Sequence, residues 1–511
     1  MRIYMLRSFR KNLTILGALA TTLFSLAGCG EMPSSSLSSA SLPQPVHLSY
    51  AAGEGGSIVG EATQTILEGE DGTEVVATPF EGYEFTSWSD GFLSASRIDE
   101  NVTEDLSVVA TFSFIGQTVL PIIRIHTDNV EITSDINYTP ASISIESLIA
   151  SQTLPSVSGG IRLRGHSTQV LPKKPYRIKF DKKQSLFGKT AAKSWVLLAD
   201  YFDPSKMHNY TAFTLGSRFD HTVYQPMAQH IEVYLNGMYQ GLYLLTEQVD
   251  EKEGRADLVQ EIFPSTTDYN FLVAFDNWAS EWNSGETLGE TYFNVEFAGS
   301  PQSIVIKYPE KTDFPNDVQY YAFFDWLKSY FEEVIDAFKS GIYDEIAGMV
   351  DVESLTDMTL VDQIMNENDH SFTSYYMSKR VGEKLKFGPT WDYDLSLGYD
   401  GWLGYPNNEY NLDQVNNIWF NNFFAGQFGN TNEGRNMLYN RWNEVGNDAI
   451  SDYLLTFDQY VSWIIDEVYA DADAWKYSSY ALDYTHGLCA DNIAYLKEWL
   501  IQRQAALNYH Y

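Results

Sequence analysis

The hydrophobic period changes near residue 314, and that change constrains the fold more than any single motif. Before it, apolar and polar residues alternate in short runs. VLPIIRIHTD, KKPYRIKF, KSWVLLADY, HIEVYLNGMYQGLYLLTEQVD and DYNFLVAFDN all read as strands. Asn236-Gly237 is a hairpin turn signal. After it, VQYYAFFDWLKSYFEEVIDAFKSG and LTDMTLVDQIMNEND have helical spacing. A short strand pair follows, SYYMSKR and LKFGPTWDYD around VGEK, and helices are expected over 446–469 and 489–508. Strands first, helices after and one late hairpin predict an α+β domain, β-rich in front and helical behind. Its expected bounds are 118–511.

Ahead of it, residues 46–115 alternate between Gly turns and read as a separate small β module. Trp88 in GYEFTSWSDG reads as core. The amino terminus carries Arg2, Arg7, Arg10 and Lys11, then an apolar run from Leu13 to Phe24, too short for a stable membrane span and suited to a signal segment. Residues 30–45 are rich in Ser and Pro, a tether composition. Cys29 and Cys489 are the only cysteines, and Cys489 reads as an inert helix residue. The net charge of −35 excludes nucleic acid and anionic lipid as partners of the overall field. An anion site must be local.

The basic residues are distributed to make one. Arg162 to Lys189 holds nine of them and a single acid, Asp181, where an even spread would put about two. In YRIKF, Arg177 and Lys179 share one strand face, and Tyr176, Ile178 and Phe180 the other. RGHST adds backbone N–H groups and hydroxyls of the kind that hold phosphates. Far along the chain, GPTWDYDLSLGYD offers Asp392 and Asp394, which share a face if extended. Mg²⁺ takes one or two carboxylates with phosphate oxygens and water. Asp369 precedes the hairpin whose second strand delivers Asp392, which predicts that the two acids meet. A positive cradle, a metal carboxylate and a second carboxylate for the hydroxyl proton are the parts of a phosphoryl-transfer site. His208 and His370 read as hydrogen-bonding packers, with no second His at ligand spacing. Asn209 reads as structural.

Leu26-Ala27-Gly28-Cys29 resembles the lipobox of bacterial lipoproteins, which implies lipidation of Cys29 and an exported, membrane-anchored chain; an ordinary signal peptide with a chance Cys is the other reading. Residues 46–115 resemble the divergent InlB B-repeat, implying a β-grasp-like surface module. RLRGHSTQVLPKKPYRIKF, SWVLLADYFDPSKMHN, VYLNGMYQGLYLLTEQVDE, NENDHSFTSYYMSK and GPTWDYDLSLGYD together resemble the CotH family of atypical protein kinases over residues 119 to about 400. The resemblance implies a divergent bilobal kinase-like fold that phosphorylates protein Ser using ATP and Mg²⁺ or Mn²⁺. It makes Asp392 the metal ligand and Asp369 the polar centre for the acceptor hydroxyl. Arg164, Lys174, Arg177 and Lys179 become phosphate-cradle candidates, with the single-lysine role unassigned among them. Glu247 and Gln248 are either adenine-edge contacts or strand caps paired with nearby cations. Asp394 is either a second metal ligand or a support for the turn. Ser374 stands where a kinase has its second metal-binding residue, an Asn, and departs from that pattern.

Three function classes follow: ATP-dependent phosphotransfer to a surface or secreted protein, a catalytically degenerate kinase-like scaffold or adhesin, and a glycan or cell-wall binder using some of the 12 Trp and 34 Tyr. Nucleotide binding separates the first two from the third.

Overall fold

The computed structural model describes residues 44–511, apart from 54–55, 80–82, 115–119, 166, 259–266, 282–284, 298–299, 368, 399–414, 417, 419, 421 and 476–488. Cys29 and the expected signal and tether segments lie outside the described residues, as do the side-chain surroundings of Cys489. The chain forms two units divided after Gly116. Among the described residues, no helix is long and apolar enough to cross a membrane.

The first unit is all β. Its strands are β1 (Pro45–Ala52), β2 (Gly56–Gly60), β3 (Thr63–Leu67), β4 (Val75–Pro79), β5 (Tyr83–Trp88), β6 (Ser96–Arg97) and β7 (Leu106–Phe114). They form a four-stranded sheet, β3-β1-β7-β5, and a three-stranded one, β2-β4-β6. The β1–β7 pair is parallel. No helix occurs among the described residues of this unit, where a β-grasp would carry one. Trp88 is core: it is buried with Leu48, Tyr50 and Val108, and its Nε1 donates to the Ser94 carbonyl at 3.0 Å.

The second unit is mixed α+β. Its front is a closed barrel of β8 (Ile122–His126), β9 (Thr139–Glu146), β10 (Leu154–Leu163), β11 (Tyr176–Gln184), β12 (Ala192–Leu198), β13 (Gln229–Leu235) and β14 (Met238–Glu247), in the order β10-β11-β12-β14-β13-β8-β9. Closure leaves no edge strand to pair with another chain. Along β11, Tyr176, Ile178 and Phe180 are buried inside, while Arg177 is half-buried and Lys179 exposed. Period-2 alternation produces this split. The β13–β14 hairpin turns on Asn236 and Gly237, both at positive φ (51° and 82°), as a two-residue turn of this hand requires.

Helix α1 (His208–Gly216) follows β12. Behind the barrel, β15 (Phe271–Phe275), β16 (Tyr292–Phe297), β17 (Ser300–Tyr308), β18 (Tyr375–Lys379) and β19 (Lys386–Phe387) form a sheet ordered β16-β17-β15-β18-β19. It shares an aromatic-rich core with α2 (Asp317–Ser340), α3 (Tyr343–Met349), α4 (Val352–Met365), α5 (Phe423–Asn430), α6 (Asn432–Arg441), α7 (Asn447–Trp475) and α8 (Cys489–His510). α2 begins on Asn316, whose side chain accepts from the Gln319 N–H, and ends at Gly341 in the left-handed conformation.

One buried ion cluster fastens the helices to the barrel. Asp471, on α7, accepts from Lys173 Nζ (2.6 Å), Lys206 Nζ (3.2 Å) and the Leu242 N–H of β14 (3.0 Å). Lys173 also donates to the Leu242 carbonyl at 2.5 Å. A Cβ on Gly241, at φ 108°, would stand 2.1 Å from Asp471 Oδ1, so only glycine admits the carboxylate there. By sequence, Lys173 is one of the nine cations of the basic segment 162–189. It is fully buried because its charge is answered by an acid nearly 300 residues away. Burial alone would raise the Asp471 carboxyl, but the two lysines hold it below the usual carboxylate range.

Asp471→Asn is therefore expected to cost about 3–5 kcal/mol, the cost of leaving buried charge uncompensated. Removing the exposed Arg218–Asp452 pair should cost under about 1 kcal/mol. Urea unfolding followed by tryptophan fluorescence compares them, and equal losses would contradict the role given to Asp471.

Candidate active site

Five chain segments deliver polar side chains to one cavity of about 450 Å³ in the second unit. β10 runs out into Arg164, β12 into Asp200 and β15 into Asp276. The turn after α4 brings Asp369, Thr373 and Ser374, and the loop after β19 brings Asp392 and Asp394. All of these line the cavity, with Asp135, Glu286 and Lys307. That is seven acids against two cations, a formal charge of 2 − 7 = −5.

The loop geometry comes from buried clamps. α4 ends at Asn366, left-handed at φ 51°, and the Glu367 carboxyl then accepts the Asp369 N–H at 2.5 Å. His370 donates from Nε2 to the Trp391 carbonyl (2.9 Å), and its Nδ1 meets Asp362 at 2.8 Å. Burial opposes charge on this ring, yet Asp362 pushes its pKa up to about 10, so it is an imidazolium that donates both bonds. Tyr393 donates to the same carboxylate at 2.6 Å. On the other side, Asn209 accepts the Tyr393 N–H and donates to Asp200 Oδ1, both at 2.7 Å. His208 Nδ1 donates to the Asp394 carbonyl at 3.0 Å. The peptide units at 391, 393 and 394 are thus held between α1 and the turn after α4.

The segment 391–394 is not a strand, so the expected shared face does not arise from extension. Asp392 sits at φ 68° and Ser374 at φ 59°, both left-handed, and Ser374 Oγ donates to Asp392 Oδ2 at 2.6 Å. Asp200 adds a third strained backbone at φ 41°. Such conformations collect where a site fixes side chains against local preference.

The acids lift one another. Burial and then Asp392 push Asp369 up to about 6. Burial pushes Asp200 up to about 6, with Asp203 adding and the Asn209 bond opposing. Burial, Asp392, Asp200 and Asp369 together hold Asp394 well above the carboxylate range. Oxygen-only carboxylate donors in this state suit a hard divalent cation. Asp392, Asp394 and Asp200 would hold it, and it would supply charge neutralisation beside phosphate oxygens. Their ligand atoms are not gathered as a set of three within 4.8 Å; among the described residues only Asp220, His221 and Asp357 are. That group already has its cation, since Arg441 donates to Asp357 at 2.7 Å and Asp220 at 2.6 Å.

A second cavity, of about 520 Å³, shares Glu286, Lys307 and Tyr376 with the first and is also lined by Arg177 and Gln248. The sequence-derived candidates therefore divide. Arg164, Asp369, Ser374, Asp392 and Asp394 line one cavity, and Arg177 and Gln248 its neighbour. Lys174, Lys179 and Glu247 line neither. Lys174 donates to the Gln169 carbonyl (2.6 Å), and the Lys179 ammonium sits 5.6 Å from the Tyr138 ring centre. Buried Glu247 accepts the Met227 N–H at 2.7 Å and faces Lys189 at 3.9 Å, the geometry of a strand cap. Sequence reasoning passed over Asp200, Asp276 and Lys307. Asp200 had a signal, a carboxylate just past the apolar strand WVLLA; a lone lysine in IVIKY gives none.

Residues 161–507 match the family model described as CotH kinase protein, and residues 46–116 match the divergent InlB B-repeat domain. No curated protein matches the chain.

Between pH ~4 and ~6 the folded chain retains a proton on Asp369 that the unfolded chain has released, so stability falls as pH rises through that window. Asp369→Asn removes this loss. In metal-free buffer the variant should match the wild type near pH 4 and exceed it near pH 7 by on the order of 1–3 kcal/mol. Urea unfolding at both pH values measures the difference, and one independent of pH would refute the assignment.

Proposed function

The chain belongs to the CotH family, and from that premise and the cavity geometry we propose that its second unit is a divergent kinase-like domain transferring the γ-phosphoryl group of ATP to a Ser or Thr hydroxyl of a protein. The observation that carries this reading is the meeting of Asp369 with Asp392, braced by Ser374, in a cavity that shares its Glu286, Lys307 and Tyr376 wall with a second one. Asp369 is the proton acceptor for the attacking hydroxyl. With a pKa near 6 it is ionised at neutral pH and more basic than an ordinary carboxylate. Asp392 and Asp394, with Asp200, would hold Mg²⁺ or Mn²⁺, which would offset the charge of the phosphates. Arg164 and Arg177 meet phosphate oxygens. The hydroxyl oxygen bonds to phosphorus, its proton passes to Asp369, and ADP leaves.

The amino-terminal sequence supports an exported, lipid-anchored location through Cys29, with a surface or secreted protein as substrate. One observation favours a second reading. The Ser374 hydroxyl is engaged by Asp392 instead of standing free for a second cation, as suits a scaffold that binds nucleotide without turnover.

Calorimetric titration of ATP into the full chain, with and without Mg²⁺ or Mn²⁺, separates these readings. Metal-dependent binding that Asp392→Ala abolishes is expected. Asp369→Asn should keep binding while lowering γ-phosphate transfer roughly 10²–10⁴-fold. Binding without any transfer by the wild type selects the scaffold. No binding with any metal rejects the kinase reading and leaves a kinase-like scaffold, adhesin or glycan binder that does not use nucleotide.

A further inference from the structure

The single phosphate-contacting lysine was expected among the basic residues 162–189, but the cavities lead elsewhere. Lys173 is locked onto Asp471, while Lys174 and Lys179 line neither cavity. Among the described residues, Lys307 is the one cation that lines both. It projects from the end of β17, the inner strand between β15 and β16, at the point where the β15 register shifts between Ile306 and Tyr308 and past the β16 pairing, which ends at Val305. Its ammonium pairs only loosely with Glu286, at 3.5 Å, and about a third of the side chain is exposed. By contrast, Lys311 in the second cavity is held by Glu290 at 2.6 Å and by Asp317 at 3.3 Å.

A ligand reaching from Arg177 and Gln248 to Asp392 must cross the wall formed by Glu286, Lys307 and Tyr376. The first cavity is strongly acidic, so an anionic chain crossing there needs a cation at the crossing point. Lys307 is the residue placed to supply it, moving from Glu286 to the incoming oxygens.

We propose that Lys307 binds the polyphosphate of the nucleotide where it passes from one cavity to the other, so that the phosphate-contacting lysine comes from the sheet behind the barrel and not from the barrel's basic segment. This rests on the nucleotide reading above. It predicts an effect confined to the phosphates. In the full chain, Lys307→Gln should weaken binding of ATP with Mg²⁺ roughly tenfold to a hundredfold, the worth of a charge-assisted bond. Adenosine binding should not change. Lys307→Arg, which keeps the charge, should recover most of the ATP affinity.

Titration calorimetry with ATP and adenosine on the three proteins, beside melting temperatures without ligand, makes the test. An equal loss for ATP and adenosine would mean structural damage and overturn the proposal. So would unchanged ATP binding in Lys307→Gln while Asp392→Ala abolishes it, which leaves the nucleotide reading standing. A wild type that binds no nucleotide with any divalent cation rejects that reading and this one together.

Discussion

The second unit depends on one buried carboxylate, Asp471, and the two ammonium groups that close on it. Desolvating three charges is costly, and the arrangement is supported by further hydrogen bonds to the Leu242 peptide and the Asp200 carbonyl. The cluster joins what the sequence separates. Lys173 comes from the loop between β10 and β11, Lys206 from the loop before α1, and Asp471 from a helix near the end of the chain. Lys206 also donates to the Asp200 carbonyl at 2.8 Å, and His230 Nε2 reaches the Lys206 carbonyl at 2.8 Å. The same ions that seat α7 on β14 thus fix the backbone of a cavity acid.

From there the support runs through hydrogen bonds. Asn209 and His208 grip the 392–394 loop from α1, and His370 grips it from the turn after α4. Buried networks of this kind are stiff, because their members are held by partners that cannot turn to water instead, although Asp362 Oδ2 makes no hydrogen bond. Stiffness is what strained residues need. Ser374, Asp392 and Asp200 keep left-handed backbones that a looser surround would let relax.

Local rules were enough for much of this. The alternation of YRIKF, the Asn236-Gly237 turn and the helical spacing after residue 314 depend on neighbours in sequence, and each appears as such in the fold. Asp369 and Asp392 were legible together because a hairpin joins them. The rest was hidden where the deciding partner is remote. Lys173 looks like Lys174 in sequence, and only Asp471 makes one core and the other surface. Lys307 is a lone cation in an apolar strand, and its meaning comes from two cavities that the strand happens to divide. Helix α1 begins inside DPSKMHN, where turn residues mask its start; Asp203 caps it by accepting the His208 N–H at 2.8 Å.

The charge distribution gives the cavity its chemistry. A chain of −35 repels anions as a whole, and the acids of the first cavity repel them again at short range. On the proposed reading, an anionic ligand there would need a divalent cation between it and Asp392, Asp394 and Asp200, with Arg164, Arg177 and Lys307 along its length. Burial first, then repulsion from Asp392 at Asp369 and from Asp203 at Asp200, raises these two carboxyls and favours proton uptake. Proton and cation would compete for the same oxygens, so the strain of the bare cavity is what a bound divalent cation would relieve.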